Sequence, residues 1–418
     1  MTTKLTGWGL GLLAIVLMLL APLALQHSPY LMHLAITAFF YAILASSWSL
    51  LAGYAGQFSF GHMAFMAIGG YTSALFGTYI RLTSAPTHLC HEIPFGNMWL
   101  VFLDPVGIKQ AGEPNCLEIA KATFAAGTVI IQPSLWIGIG LGVLIGGLFG
   151  FLIGAMVLRL RSTYLALFTI GFSEILRAAI SAELNITQGQ SGMEMPPLFP
   201  QGLTVGGFFF GPASKVPPYY IMLGLFLLCM AIMGWLTSSR FGLFIRSIRE
   251  DEEAAAALGV HVVRYKILVF VITAMMAAAA GAVQNHYIGI ITPNVLIILQ
   301  MSLVIAMAVI GGLEDIVAAA IGALVIEFAL ELLRNSFDIG PITIDMTTWR
   351  LVFFGALLMV TLRFFRNGLI YPLLMRFTRG HVAAETVAKR QVVRDTLAHD
   401  ELPPDELPQD ELSGAPNA

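Results

Sequence analysis

Residues 133–158 read PSLWIGIGLGVLIGGLFGFLIGAMVL, an apolar run without a single charged side chain. About 20 apolar residues in an α-helix are enough to cross the hydrocarbon core of a bilayer. Several other runs in the chain reach this length. Because lipid offers no partners to backbone N–H and C=O groups, such runs span a membrane as helices. The sequence therefore predicts an all-α fold, a polytopic membrane helical bundle.

The apolar segments outline about 8–10 spans. The most unusual segment is 297–333, because its 37 residues exceed one span and barely suffice for two. Gly311-Gly312 and the acids Glu314 and Asp315 interrupt this segment, which predicts a broken or re-entrant helix pair near 297–333. The predicted segments are 5–25, 31–52, 57–80, 133–158, 163–181, 218–237, 266–288, 297–333 and 350–371.

Composition excludes soluble and nucleic-acid-binding proteins. Of 418 residues, 57% are hydrophobic and 11% are charged, whereas soluble domains carry about 25% charged residues. The net charge of -3 argues against a nucleic-acid partner. The stretch 379–418 repeats the motif Asp-Glu-Leu-Pro and is rich in charge. We therefore divide the chain into a transmembrane domain, 1–378, and a disordered acidic tail, 379–418.

Lysine and arginine residues indicate the orientation in the membrane. If the N-terminus lies inside and 297–333 returns to its starting side, 15 of the 22 basic residues fall inside and 7 outside. This excess satisfies the positive-inside rule, so the N-terminus and the C-terminal tail are both predicted to be cytoplasmic. The long outside loops are then 81–132 and 182–217, and the conspicuous inside loop is 238–265.

Glycines recur at every fourth position in the run 133–158. This spacing places them along one face of a helix, where a second backbone can approach closely. We interpret the face as a packing surface rather than a binding site. Its members are Gly138, Gly142, Gly146, Gly150 and Gly154.

Polar side chains at membrane depth are candidates for a translocation pathway. Gln57, Ser59 and His62 lie among glycines in the segment 53–62. This composition indicates non-helical backbone that lines protein or a water-filled cavity. A tight cytoplasmic turn explains the same glycines equally well.

Three further residues, Glu174, Gly311 and Gly312, are added to this candidate pathway. Ionisable residues in spans are functional candidates by default. For Glu174 a structural role is the alternative that we favour, because Glu174 and Arg177 form an i, i+3 pair that neutralises itself in a bundle.

The inside loop contains SRFGLFIRSIREDEEAAAALG at residues 239–259. Ala254 to Ala257 favour helix, and Gly259 is a natural C-terminal stop. Apolar residues spaced among the charges predict a short amphipathic helix outside the bilayer, with the shape of a docking element. A solvated connector is the alternative interpretation.

Motifs for catalysis are missing from the sequence. The chain contains no G-K-[ST], H-E-x-x-H or G-x-S-x-G, so we predict no ATP site, no enzyme activity and no cofactor. His88, Cys90, His91 and Glu92 lack the spacing of a recognised zinc site, so no metal is predicted. A disulfide between Cys90 and Cys116 is the preferred alternative, because the outside loop faces an oxidising compartment.

Several segments resemble known permeases. Glu253-Ala254-Ala255 followed by Gly259 resembles the loop of ATP-binding-cassette (ABC) importer permeases that docks on the ATPase subunit. The proline that continues this pattern is absent from residues 269–272. From about residue 30 to residue 370, the chain is similar to LivM-type permeases of branched-chain amino-acid importers. The matching segments are Gly53–Gln57, Gly61-His62, Ile68–Tyr71, Ile248–Asp251, Arg264–Lys266 and Gly311–Leu313.

The resemblance implies that 1–378 is a permease subunit in the bacterial inner membrane, surrounded by lipid. The implied partners are a sister permease, two cytoplasmic ATP-binding subunits and a periplasmic substrate-binding protein. The implied substrate is a branched-chain or related amino acid, and a urea or short-chain amide permease is an alternative. A second alternative is an ion-coupled secondary transporter that uses Glu174, Glu314 or Asp315. The implied ATPase-docking residues are Arg246, Arg249, Glu250, Asp251, Glu252, Glu253 and Gly259.

Overall fold

The structure is a computed structural model in which contacts divide the chain into two units. One unit is Val16–Tyr371, and the other combines Met1–Ile15 with Pro372–Ala418. The tail predicted at 379–418 lies outside the described residues. The structure describes residues 2–25, 28–82, 92–95, 98–102, 130–131, 134–157, 162–184, 186–333, 337–339, 342–344, 346–365 and 368–372.

Helices make up most of the described chain. They are α1 (Thr2–Leu25), α2 (Pro29–Ser49), α3 (His62–Thr78), α4 (Leu135–Val157), α5 (Ser162–Ala182), α6 (Val216–Ser238), α7 (Arg240–Glu250), α8 (Glu252–Ala257), α9 (Val262–Ile288), α10 (Ile298–Gly311), α11 (Ile316–Leu332) and α12 (Met346–Phe364). Helix α2 continues through a π-helical turn, Leu50–Tyr54, and short 3-10 helices lie at Gly189–Ser191 and Pro293–Leu296. The all-α prediction for the membrane part is confirmed.

Five described helices are long and apolar enough to span a membrane, and α10 and α11 pass the same test as a pair. The axes of α10 and α11 are bent by 118°, which confirms the predicted broken helix pair. The prediction of about 8–10 spans is higher because it included α3, which has 17 residues, and the short apolar helices Gly11–Leu25 and Val352–Phe364. Each of the nine predicted segments nevertheless contains a described helix, so the polytopic bundle is confirmed.

Helix α3 begins later than the predicted span 57–80, because residues 55–61 are not helical. The non-helical backbone that the glycines indicate is therefore present. Trp48, which is fully buried in α2, donates a hydrogen bond from Nε1 to the carbonyl oxygen of Ser59 at 2.8 Å. This bond satisfies one of the backbone groups that the missing helical turn leaves unpaired.

Short strands lie in the connections between helices. They are β1 (Tyr79–Leu82), β2 (Glu92–Phe95), β3 (Met98–Phe102), β4 (Ile130–Ile131), β5 (Met193–Glu194), β6 (Leu203–Val205), β7 (Phe208–Phe210), β8 (Ile290–Ile291), β9 (Phe337–Ile339) and β10 (Ile342–Ile344). Strands β1 to β4 form one antiparallel sheet in the order β2-β3-β1-β4 between α3 and α4. The remaining strands form the antiparallel pairs β5 with β8, β6 with β7, and β9 with β10.

The glycine face of α4 packs against α3 and α9. A Cβ atom added to Gly142 would lie 2.6 Å from the carbonyl oxygen of Gly69, and one added to Gly146 would lie 2.5 Å from the Cβ of Ala278. Side chains at these positions would push the helices apart. The five glycines of the face are all buried, so the predicted packing surface is confirmed.

Helix α2 lies at the centre of the bundle, in contact with α6, α9, α10 and α11. In the most apolar 18-residue stretch of α2 and its π-helical turn, 89% of the residues are buried. The corresponding figure for α5 is 17%. The apolar surface of α5 is thus available to lipid or to another protein, whereas α2 forms the core.

Candidate functional site

The inside loop 238–265 folds as two helices, α7 and α8, where one helix was predicted. Asp251 separates them in an extended conformation, and its Oδ1 accepts hydrogen bonds from the backbone N–H groups of Glu253 and Ala254 at 2.9 and 3.0 Å. Aspartate is among the best N-cap residues, so it begins a new helix at this position. Gly259, with a φ of +85°, follows α8 and confirms the predicted C-terminal stop.

Helix α7 buries one face against the bundle and exposes the other. Gly242, Ile245 and Ile248 are buried, and their spacing of three places them on one side of the helix. A Cβ atom at Gly242 would overlap the carbonyl group of Thr237, so α7 folds back closely onto the end of α6. The exposed face carries three predicted docking residues, Arg246, Arg249 and Glu250.

Arg249 connects α7 to both breaks in the membrane helices. Its Nη1 donates a hydrogen bond to the carbonyl oxygen of Gly53, in the π-helical turn that precedes the non-helical segment. Its Nη2 forms an ion pair with Glu314, in the bend between α10 and α11. Both side chains are partly exposed, so water screens the ion pair and limits its contribution to stability. The contact is therefore more informative about geometry than about stability.

A compact cluster surrounds this arginine. The guanidinium of Arg246 lies over the Tyr54 ring, 4.8 Å from its centroid, in a cation–π contact. Ser49 Oγ donates to the carbonyl oxygen of Leu313 at 2.8 Å, and a Cβ atom at Gly53 would overlap that same oxygen. Only glycine allows α2 to approach the bend this closely. We call Gly53, Tyr54, Arg246, Arg249, Leu313 and Glu314 the inner junction.

The other predicted docking residues differ in their contacts. Glu252 forms an ion pair with Lys266, whose side chain is 8% exposed, and so ties α8 to α9. The Asp251 carboxylate caps α8. Glu250 and Glu253 are exposed and form no ion pair within the described part of the chain. Their carboxylates are accessible to a partner.

The bend between α10 and α11 depends on close approach of the two helices. A Cβ atom at Gly311 would overlap the carbonyl oxygen of Ala318, and one at Gly322 would overlap Gly311 itself. Gly312 has a φ of +145°, which L side chains rarely adopt. Gly311 and Gly312, predicted as pathway residues, thus have a clear structural role in the turn.

The two acids of the bend have distinct roles that the sequence left open. Asp315 is the N-cap of α11, and its Oδ1 accepts hydrogen bonds from the N–H groups of Val317 and Ala318 at 2.8 and 3.0 Å. Glu314 is the partner of Arg249. An aspartate immediately before an apolar run is a known helix-start signal, so the cap could have been found from the sequence.

The predicted pathway residues Gln57, Ser59 and His62 are all buried, with at most 2% of their surface exposed. Ser59 Oγ accepts a hydrogen bond from the N–H of Gly61. In contrast, both polar atoms of the Gln57 amide and both ring nitrogens of His62 are buried without a hydrogen-bond partner in the described structure. Buried polar groups are normally paired, so this segment is an unusual polar region within the bundle.

Sequence analysis did not identify two side chains that form hydrogen bonds with the non-helical segment. Thr169 of α5 accepts a hydrogen bond from the N–H of Phe60 through Oγ1 at 3.0 Å, and Trp48 holds Ser59 as described above. A threonine and a tryptophan in apolar runs give no sequence signal for such contacts. Their role follows only from the packing of α2 and α5 beside the segment.

Glu174 pairs with Arg177 at 2.8 Å within α5, as the i, i+3 spacing predicts. The glutamate side chain is 41% exposed and the arginine side chain 33%. No hydrogen bond or ion pair connects Glu174 with Gln57, Ser59 or His62 in the described structure. The structure therefore does not assemble all predicted pathway residues into one polar site.

A separate cavity of about 490 Å³ lies among α2, α10, α11 and α12. Tyr30 donates a hydrogen bond to Glu331 at 2.7 Å, and Tyr41 donates to Gln300 at 3.3 Å. These contacts place the C-terminal end of α11 beside the N-terminal end of α2, while the bend lies at the opposite end of α2. The polar residues of the wall are Tyr30, His33, Thr37, Tyr41, Gln300, Ser302, Glu327 and Glu331.

The residues considered for a metal site and for a disulfide lie partly outside the described part of the chain. Among the residues that the structure describes, no group of three His, Cys, Asp or Glu side chains is arranged to hold a metal ion. Cys90 and Cys116 lie outside the described residues, so their disulfide stays a prediction. Cys229 is a buried free thiol in α6.

The family model described as "Branched-chain amino acid transport system / permease component" matches residues 30–362. The chain belongs to this family. Its permease character agrees with the multi-pass helical bundle and with the broken helix pair. The resemblance noted from short motifs is therefore confirmed over most of the membrane part.

Individual relatives carry related names. The chain is 27% identical over 332 residues to the "High-affinity branched-chain amino acid transport system permease protein LivM" of Salmonella typhimurium and 28% identical to LivM of Escherichia coli. Each match covers 74% of this chain and 66% of the relative, so the chain spans slightly less than two thirds of their length. It is also 26% identical to the Escherichia coli permease protein LivH, over 69% of this chain and 80% of LivH.

Proposed function

We propose that this permease is the membrane subunit of an ABC importer that takes up branched-chain or related amino acids across the bacterial inner membrane. Two cytoplasmic ATPases bind the exposed face of α7 and α8. The observation that carries the proposal is the double contact of Arg249 with Gly53 and Glu314. It joins the surface on which an ATPase would act to both breaks in the membrane helices.

In this mechanism, α7 and α8 move together as one rigid body when the ATPases close around ATP. The short connection through the Asp251 cap keeps the two helices together, and the Glu252–Lys266 pair connects them to α9. Arg249 transmits the movement to the π-helical turn and to the bend at Glu314. Broken helices can change their angle at low cost, because their backbone hydrogen bonds are already interrupted.

The proposed translocation pathway passes the non-helical segment that contains Gln57, Ser59 and His62. Support comes from the unpaired atoms of Gln57 and His62, which are costly in the conformation described. Another conformation that opens the segment to water or substrate would satisfy them. Gly311 and Gly312 contribute the hinge of the bend, and Glu174 contributes a structural ion pair.

The names of the relatives support the choice of partners. LivM and LivH are both named as permease proteins of a branched-chain amino acid transport system, and we propose that this chain likewise pairs with a sister permease. A periplasmic binding protein delivers the substrate on the opposite side from α7. The N- and C-termini are cytoplasmic, as the distribution of basic residues predicts.

An ion-coupled secondary transporter is less well supported, because its candidate acids have other partners. Glu174 pairs with Arg177, Glu314 pairs with Arg249, and Asp315 caps α11. A urea or short-chain amide permease stays the alternative within the ABC class. The ion pairs Glu174–Arg177, Glu314–Arg249 and Glu252–Lys266 neutralise their own charges, so they give no basis for choosing between an amino acid and an amide as substrate.

Transport in proteoliposomes tests this proposal. The permease is reconstituted with the proposed sister permease, ATPases and binding protein from the same organism, and uptake of labelled leucine and urea is measured with and without ATP. We expect leucine uptake that is lost when the ATPases are omitted. Urea uptake without leucine uptake would change the substrate class, and uptake by this chain alone under an ion gradient would overturn the ABC mechanism.

A further inference from the structure

A second concave surface lies beside the docking helices, away from the inner junction. It is a groove of about 1020 Å³ where α4, the end of α8 and the start of α9 meet. Phe151 of α4 and Leu268 of α9 line it and are 50% and 40% exposed, so no described side chain fills the space between them. We call this surface the α4–α9 groove. The other residues that line it are Ala256, Gly259, Val260, His261, Val262, Val263, Arg264, Ile267 and Val271.

The groove follows one stripe of α9 into the membrane. Arg264, Ile267, Leu268 and Val271 are spaced by three, one and three residues, which places them on the same side of the helix. From Arg264 to Val271 the helix rises about 10 Å at 1.5 Å per residue. One half of the hydrocarbon core is about 15 Å deep. The apolar wall below Arg264 therefore covers about two thirds of the depth of a single lipid leaflet.

The groove ends, at the side deeper in the membrane, where α4 packs closely against α9. A Cβ atom at Gly150 would lie 2.7 Å from the Cβ of Ala274, and one at Gly147 would lie 2.7 Å from the Cγ of Met275. The two backbones are thus in close contact one to two turns deeper than Leu268. A flexible acyl chain fits a groove that narrows in this way.

The two ends of the groove differ in polarity. Arg264 lies at the start of the candidate span Val262–Ile288, is exposed, and forms no ion pair with the described residues. His261 is exposed next to it and its side chain makes no capping hydrogen bond. Of the two acids of α8, Glu252 is paired with Lys266, and Glu253 is exposed but does not line the groove. A basic mouth above an apolar wall complements a phosphate above an acyl chain.

We propose that the α4–α9 groove binds an anionic phospholipid of the cytoplasmic leaflet. One acyl chain lies along Phe151, Leu268 and Val271, and the headgroup phosphate binds Arg264 with His261 beside it. Ala256 and Gly259 belong both to the groove and to the end of the docking loop. The bound lipid therefore supports α8 in its docking position. The choice of leaflet and the docking position of α8 rest on the proposed function, whereas lipid binding itself does not depend on which substrate is transported.

Lipid retention by the purified protein tests the proposal. The full-length chain is purified with its copurifying subunits, and binding of phosphatidylglycerol and phosphatidylcholine with identical acyl chains is measured by native mass spectrometry. We expect preferential retention of phosphatidylglycerol. Arg264→Gln should weaken it about fivefold, as expected for one basic residue at a membrane surface, with phosphatidylcholine unchanged. Arg240→Gln is the matched control, because Arg240 is exposed in α7 but does not line the groove.

A second variant tests the acyl-chain part of the groove. Leu268→Trp fills the groove from a partly exposed position and should reduce retention of both lipids. Equal retention of the two lipids by the wild-type protein would overturn the proposal, as would unchanged phosphatidylglycerol binding in Arg264→Gln. If Leu268→Trp releases a copurifying subunit and leaves lipid binding intact, the occupant is protein and the proposal fails.

Discussion

Arg249 donates a hydrogen bond from Nη1 to the carbonyl oxygen of Gly53, 196 residues earlier in the chain. Gly53 precedes non-helical backbone, so its carbonyl oxygen lies near the end of a helix, where carbonyl groups depend on donors from outside the helix. The other terminal nitrogen of the same guanidinium contacts Glu314. The guanidinium is planar and its N–H donors point in fixed directions. One side chain therefore fixes the distance between the π-helical turn at Gly53 and the bend at Glu314.

Gly53→Ala tests the close approach of α2 to the bend. The added Cβ atom would overlap the carbonyl oxygen of Leu313, so α2 and the α10–α11 bend must separate. We expect a loss of about 1–3 kcal/mol in stability, typical of overpacking, and a loss of uptake. Gly234→Ala in α6, where a Cβ atom meets open space, is the matched control and should be stable and active. Equal unfolding temperatures for the two variants would show that the approach is looser than described.

Glu253→Lys tests the docking surface. The Glu253 carboxylate is exposed and unpaired in the described chain, so reversing its charge should disturb only a partner. We expect the ATPases to be lost on purification while membrane insertion is retained. Glu194→Lys, the same charge reversal at an exposed position in β5, serves as the control. Retention of the ATPases by Glu253→Lys would remove this residue from the docking surface.

Gly259→Pro tests the end of the docking helix. Its φ of +85° is closed to proline, whose ring fixes φ near -65°, so the turn after α8 must change its conformation. ATP-coupled uptake should be abolished although the protein still inserts into the membrane. Gly259→Asn is the control, because asparagine tolerates the left-handed region, and this variant should retain most uptake. If the proline variant transports normally, the position of α8 is not important for coupling.

Asp315→Ala tests the cap of α11. Loss of the two hydrogen bonds to Val317 and Ala318 should lower stability by about 1 kcal/mol. Asp315→Asn keeps an acceptor oxygen and should be close to the wild-type protein. Thermal unfolding in detergent measures both variants. A strong defect in Asp315→Asn with normal stability would instead indicate that the charge itself is used in transport.

The sequence predicts those features that depend on local pattern. Glycines at every fourth position predict the packing face of α4, and Gly311-Gly312 predicts the break between α10 and α11. The pairing of Glu174 with Arg177 follows from helical spacing alone. Each of these features is fixed by residues that are neighbours in the chain, so helical periodicity is sufficient to find it.

Contacts between distant parts of the chain are not predicted in this way. The sequence predicts Arg249 as a docking residue, but its contacts lie 196 and 65 residues away and carry no pattern that selects them. The division of the docking loop into α7 and α8 was missed because alanines suggested one helix, although the Asp251 cap overrides that propensity. The start of α3 at His62 was not predicted, because the apolar run continues through the non-helical residues 57–61.

The most direct measurement compares ATP hydrolysis with leucine uptake in the same proteoliposomes for the wild-type permease and Arg249→Lys. Lysine keeps the positive charge but cannot hold Gly53 and Glu314 with one planar fork. We predict that hydrolysis continues near the wild-type rate while uptake falls about tenfold, the effect of losing one charge-assisted hydrogen bond. Wild-type uptake per ATP in Arg249→Lys would contradict coupling through the inner junction.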